Sequence, residues 1–299
     1  MRLEAGANSS ISMGANIIIS RGQRGPDSDC GRVRGHGVVG LIPAAGRARR
    51  LAPLPCSKEL LPIGLGTLAG CEAAHPKVAS QFLVDQFRAA DVRKVIVVIR
   101  QGKWDIPGYW SDGSRLGMHF AYVVVDETGG PPDTIDRAHA FVREEVVVFG
   151  FPDILFHPET VFAQLLARLS NSTADVVLGL FPAHNPSVMD MIEVDRRGHV
   201  RDLLLKPRQT TLRWAWICAV WMPTFTEFLH GFLGRMRRLS RGQVRGNRRI
   251  DPQGDLPVGA VIQAAIRERL TVEAVKFSNG RYLDVGTASA WAQASRWAR

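Results

Sequence analysis

Cysteine is scarce: four in 299 residues (Cys30, Cys56, Cys71, Cys218), with no C-x-x-C or C-x-x-H spacing. Neither a structural zinc site nor a disulfide framework is expected from such a set, and a reducing, cytoplasmic setting fits it best. Long apolar runs are also missing. None reaches the ~18 residues of a membrane span or supplies the apolar core of a secretory signal, so no membrane partner is expected. Acid is missing from Arg235 to Arg249, whose seven arginines carry most of the net charge of +10. A nucleic-acid-binding face would spread its cations over several elements or interleave them with aromatics. Here they crowd one Gly-containing segment, so 235–250 is expected to be a solvated, flexible basic loop, with no nucleic-acid partner.

What is present is ordinary globular material, 45% hydrophobic and 22% charged, with enough chain for a sizeable core. Residues 1–36 mix Gly, Ser, Asn and Arg without a sustained period, and are expected to form a disordered leader to a domain over 37–299. Apolar runs at Val38–Ile42, Lys94–Ile99, His119–Val125, Val146–Phe149 and Asp175–Phe181 read as strands. Helical spacing intervenes from Lys77, over Pro132–Glu144 and over Pro158–Leu169. This alternation predicts an α/β fold with a mixed, mostly parallel sheet covered by helices. After Pro182 three strand-like segments, Met189–Val194, His199–Lys206 and Leu212–Met222, suggest a small β-rich insertion. Helices from Pro223 and Pro257, strands at Thr271–Phe277 and Arg281–Asp284, and a helix from Thr287 complete the chain. Gly64–Gly70 (GLGTLAG) matches G-x-G-x-x-A, but no strand leads into it and no helix opens from it, so a dinucleotide site is not expected there.

The most informative stretch is Val38 to Gly64, VVGLIPAAGRARRLAPLPCSKELLPIG. A buried strand empties into a loop of small residues and arginines, then reaches Ser57-Lys58 before Leu60-Leu61-Pro62. Such a loop presents backbone N–H groups and positive charge to phosphates. Two aspartates end apolar strands elsewhere: Asp153 after VVVFGFP and Asp284 in RYLDVGT.

Together these residues resemble the sugar-1-phosphate nucleotidyltransferases of the glucose-1-phosphate thymidylyl- and uridylyltransferase kind, over about Val38 to Ala290. The family pattern, roughly L-A-G-G-x-G-T-R-L-x-P with a later [PS]-K-x-L-L-P, places Arg50 and Lys58 on its two basic positions. Ala44, Ala45 and Gly46 fall on its nucleotide-binding loop. Ala45 and Ala48 stand where the pattern has glycines, and Arg49 where it has Thr. YLDVGT matches its late [WY]-x-D-[TVI]-G-T segment. Gly150-Phe151-Pro152-Asp153 departs from G-D-[ND] by inserting Phe-Pro.

The resemblance implies a Rossmann-like (GT-A-type) fold and transfer of a nucleotidyl group from an NTP, dTTP or UTP, to a sugar 1-phosphate. It implies Mg²⁺ held by Asp153 and Asp284, with Arg50 on the β- and γ-phosphates and Lys58 on the α-phosphate. It gives Lys206, in LLLKPRQT, to the sugar phosphate, with Leu205 in place of the family's glutamate, and Glu193 to the sugar. Asp126–Thr134 should meet the base through Gly129, Gly130 and Thr134, with Asp136 also in reach. Trp214, Trp216 and Trp221 are expected to pack a strand face. The departures keep open an alternative, a non-catalytic nucleotide- or sugar-phosphate-binding protein on the same fold, and assembly into a homo-oligomer is left open.

Overall fold

The computed structural model describes residues 33–66, 74–242, 256–294 and Trp297. In chain order the elements are β1 (Val38–Ala44), β2 (Pro62–Gly66), β3 (His75–Val78), α1 (Ala79–Ala89), β4 (Lys94–Arg100), α2 (Asp105–Trp110) and β5 (His119–Val125). Next come α3 (Pro131–Asp136), α4 (His139–Val142), β6 (Val146–Gly150), β7 (Ile154–His157), α5 (Val161–Ser170) and β8 (Val176–Pro182). The chain ends with β9 (Met191–Val194), β10 (Val200–Leu204), β11 (Trp214–Trp221), α6 (Pro223–Gly242), α7 (Val258–Arg267), β12 (Val272–Lys276), β13 (Arg281–Asp284) and α8 (Ala288–Ala294).

Strands β6, β1, β4 and β5 lie side by side and parallel. β1 pairs with β4 on one side and β6 on the other, so the connections wind in opposite senses about it. That reversal opens a crevice beyond the carboxyl ends of β1 and β6, where α/β sheets bind ligands. β11 runs antiparallel to both β6 and β8, and β12 is parallel to β8, which makes a nine-stranded mixed sheet. The β-rich segment is part of this sheet: β9 and β10 join it through Met191 opposite Ala215. Between them Asp195 Oδ1 accepts from the Arg197 and His199 amides, and Gly198 takes φ 91°, the tight hairpin expected.

Alternation along β1 divides the core. Ile42 and Ala44 pack with Leu83, Phe87, Phe162 and Val148 on one face. Val39 and Leu41 pack with Ile135, Val142, Phe149 and Leu229 on the other. Gly40 has no side chain because a Cβ would come within 2.8 Å of the Phe87 ring. Trp216 and Trp221 are buried on β11, as strand-face packing requires.

Several expectations are corrected. The leader does not extend through residue 36: Val33 is buried in the core and His36 Nδ1 meets the Glu144 carbonyl. Residues 1–32 lie outside the described residues. The helix expected over Pro132–Glu144 is two short ones, α3 and α4. The basic loop expected over 235–250 begins as helix, since α6 continues to Gly242. There Arg235 bonds Glu268, and Arg237 bonds Asp133 and Asp136. Acids distant in sequence supply the counter-charges that the segment itself lacks; 243–255 lie outside the described residues. In the GLGTLAG run, Gly64–Gly66 belong to β2, which forms an antiparallel hairpin with β3; residues 67–73 lie outside the described residues. Among the described residues no helix is long and apolar enough to cross a membrane.

Candidate active site

Lys58 opens a short 3₁₀ turn, Lys58–Leu60, that returns the chain from the loop after β1 to the crevice. Its Nζ lies 2.5 Å from Asp153 Oδ2, with side chains only 19% and 10% exposed. Asp153 stands three residues beyond β6. Burial alone would raise its carboxyl, but the Lys58 ammonium overrides this and holds it below the usual range. Burial likewise acts to lower Lys58, and Asp153 with Glu59 more than offsets it, so the lysine is pushed up.

The second acid arrives through a separate ribbon. β13 pairs antiparallel with β7, setting Asp284 opposite Ile154, and the Val285 amide donates to the Asp153 carbonyl at 2.9 Å. Asp284 keeps solvent access at the rim of the crevice. Partial burial and the adjacent Asp153 push its carboxyl up, against the pull of the Gly286 amide, Arg50 and Lys58. A Cβ on Gly286 would come within 2.8 Å of Asp284 Oδ1 and 2.9 Å of Arg50 Nη2. Arg50, Lys58, Asp153 and Asp284, far apart in sequence, therefore share one end of the sheet.

The turn that carries Lys58 has supports the sequence did not reveal. Glu59 points inward, where Lys103 Nζ bonds both its Oε2 and the Ala44 carbonyl at 2.7 Å. Asp105, at the start of α2, accepts from Ser57 N at 2.6 Å and Ser57 Oγ at 2.8 Å. The Lys103-Trp104-Asp105 segment thus clamps the end of β1 and the residues flanking Lys58. Its position just beyond the carboxyl end of β4 was the available signal.

The nucleotide loop after β1 is small and partly open. Ala44 and Ala45 are buried, and Gly46 is exposed. Ala48 sits at φ 51°, the left-handed region where the family pattern has glycine, so a Cβ is carried there at a cost of roughly 1 kcal/mol. Arg47 pairs with Glu127, joining this loop to the one after β5.

Residues 39–298 match the nucleotidyl transferase family. The chain belongs to that family. The fold is shared with a protein assigned as a glucose-1-phosphate thymidylyltransferase from Bacillus anthracis, in complex with sucrose (17% identity, TM-score 0.70, 88% of this chain and 96% of that one). It is shared with an apo UDP-glucose pyrophosphorylase (17%, 0.67, 88% and 98%) and with the inositol-1-phosphate CTP transferase from T. maritima (14%, 0.62, 87% and 96%). No curated protein matches the chain in sequence.

The remaining expected residues of this nucleotidyl transferase fall at different distances from the acids. Gly129 and Gly130 lie in the loop after β5, and Gly130 takes φ 113°, which favours glycine. Thr134 is buried, its hydroxyl engaged by Thr128 Oγ1 at 2.8 Å and the Gly130 carbonyl at 3.1 Å, so it shapes the loop from within. Asp136 does not face a base: His230 and Arg237 of α6 hold it at 2.7 and 2.9 Å. Lys206 is exposed beyond β10 in a left-handed conformation (φ 41°). Its neighbouring acid is Asp190, whose carboxyl is raised by burial despite Trp216 and Lys206 beside it. Asp190 was not singled out from sequence. Phe151 links this corner to the acids, its ring 6.1 Å from that of Trp216. Glu193 is exposed on β9, and no ion pair joins it to Lys206 among the described residues.

Proposed function

We propose that this chain transfers a nucleotidyl group from an NTP, with dTTP or UTP favoured, to a sugar 1-phosphate, giving an NDP-sugar and pyrophosphate. The observation that carries this reading is the meeting of Asp153 and Asp284 beside Lys58 and Arg50 at the β1/β6 crevice. A phosphate oxygen of the sugar 1-phosphate attacks the α-phosphorus, and the bond from that phosphorus to the bridging oxygen breaks as pyrophosphate leaves. Both reactants are anionic, so positioning and charge neutralisation supply most of the rate. Lys58 is assigned to the α-phosphate and Arg50 to the departing β- and γ-phosphates. Lys206 is assigned to the sugar phosphate, and the exposed backbone at Gly129 and Gly130 to the base.

The donor set fits Mg²⁺. Two hard carboxylates stand near one another, and burial together with their mutual repulsion raises Asp284. Among the described residues no cluster of three or more such ligands forms a closed cage. Mg²⁺ commonly binds through one or two carboxylates and substrate phosphates, keeping several waters. When bound it would neutralise charge between the α-phosphate and the attacking oxygen.

Pyrophosphate release across four NTPs and several hexose 1-phosphates, wild type against Asp153→Asn and Asp284→Asn, tests the reading. Release by wild type and loss in both variants is expected; a folded wild type that releases none overturns it. A second reading, a non-catalytic binder, is favoured by the Lys58 contact that covers one oxygen of Asp153. It requires nucleotide binding by calorimetry without turnover, unchanged by Asp153→Ala.

A further inference from the structure

Arg237 of helix α6 reaches the start of α3, just beyond the loop that follows β5. Asp133, in the first turn of α3, accepts from the Gly129 amide at Oδ2 (2.9 Å), closing the loop that holds Gly129 and Gly130. Its other oxygen, Oδ1, accepts from Arg237 Nη2 at 2.5 Å, and the same Nη2 donates to Asp136 Oδ2 at 2.9 Å. The Asp133 side chain is 15% exposed, and the more distant Arg137 lies 3.5 Å from Oδ2. Asp133 therefore places a negative charge beside the loop assigned to the base of an incoming, polyanionic NTP. Arg237 supplies the close counter-charge from an element more than a hundred residues away.

We infer that Arg237 is a positioning residue for NTP binding: it fixes Asp133 so that the carboxylate caps Gly129, and it neutralises a charge that would otherwise repel the triphosphate. The inference rests on the nucleotide reading of the Gly129–Thr134 loop. It concerns binding, not the chemical step, so it can be read without turnover.

Calorimetry with UTP and dTTP on the full chain tests it, with thermal melts as a fold control. Arg237→Ala should weaken NTP binding about tenfold, with less loss at high salt, because the uncovered carboxylate then repels the anionic nucleotide. Arg237→Lys, which keeps the charge, should recover part of the affinity. Adding Asp133→Asn to Arg237→Ala should return binding to within about threefold of wild type, since Asn keeps an acceptor for Gly129 and removes the charge. A merely structural arginine would not be rescued in that way. Wild-type affinity in Arg237→Ala, or a double variant no better than the single, overturns the inference while leaving the nucleotide reading in place. A wild type that binds neither nucleotide removes the loop reading and the inference together.

Discussion

The Lys58 ammonium rests 2.5 Å from Asp153 Oδ2, so a side chain from the turn after β1 closes on the acid beyond β6, across the crevice between those strands. On the proposed function these two groups are assigned to phosphate and to metal, and here they are bound to each other. An NTP brings about four negative charges to the same ammonium. On that reading, substrate entry would exchange one partner of Lys58 for another and release the carboxylate.

Removing the lysine should separate its two effects. In Lys58→Met, Asp153 and Asp284 lose a competing cation, and Mn²⁺ binding without nucleotide should tighten about tenfold, read by electron paramagnetic resonance. Pyrophosphate release should fall by about 10²–10³-fold, as when one transition-state donor is lost. Unchanged Mn²⁺ affinity would show that the contact does not restrain the acids.

Gly286 is the cheapest place to disturb the site without disturbing the fold. Its amide holds Asp284 Oδ1 at 2.8 Å, and an added Cβ would intrude between that oxygen and Arg50. Both neighbouring atoms are the far ends of exposed side chains. Gly286→Ala should keep its melting temperature within a few degrees, because the two groups can move away at a cost of about 1 kcal/mol. Turnover should drop about tenfold or more, because displacement of either group misplaces charge around the reacting phosphates. Full activity in this variant would argue that the spacing of Asp284 and Arg50 is not used.

The Glu59–Lys103 pair makes a different kind of prediction, since both side chains are at most 8% exposed. Lys103→Met strands the Glu59 carboxylate, and unfolding free energy from denaturant titration should fall by about 3–5 kcal/mol. Glu59→Leu with Lys103→Met should recover much of that loss, because no buried charge remains. The double variant should still bind NTP poorly, since the Ala44 carbonyl and the Lys58 turn have lost their shared anchor. A double variant as unstable as the single would contradict this account.

The parts of this structure that were legible from sequence are those whose signal is local. Val38–Ile42 and Lys94–Ile99 are short apolar runs bounded by turns, and each is a strand. Arg50 and Lys58 stand on one compact motif and Asp284 on another, and each is read from its immediate neighbours. Lys103 and Asp105 were not legible, because their partners Glu59 and Ser57 lie more than forty residues away. The start of the Arg235–Arg249 segment was illegible for the same reason: the acids that pair with Arg235 and Arg237 are Asp133 and Asp136 of α3 and Glu268 just after α7. Ala48 shows the converse. Its departure from glycine was visible, but only the backbone angle shows that the chain still takes the glycine-like conformation.

The three tyrosines give a test of packing that does not depend on activity. Tyr109, Tyr122 and Tyr282 are all the tyrosines of the chain, and burial raises the phenol of each. Tyr122 is pushed up to about 12, by burial and then by Asp112, and its hydroxyl donates to the Ser111 carbonyl at 2.7 Å. Above the ordinary phenol value the folded chain keeps protons that the unfolded chain gives up. The unfolded state then binds fewer protons, so stability must fall as pH rises through this window. Ultraviolet titration of the native protein should show less tyrosinate at pH 10 than the denatured chain, with one step near 12. In denaturant all three should titrate near 10. Tyr122→Phe should remove the highest step and leave the other two. If the native and denatured titration curves coincide, the strand face that carries Tyr122 is not packed as described.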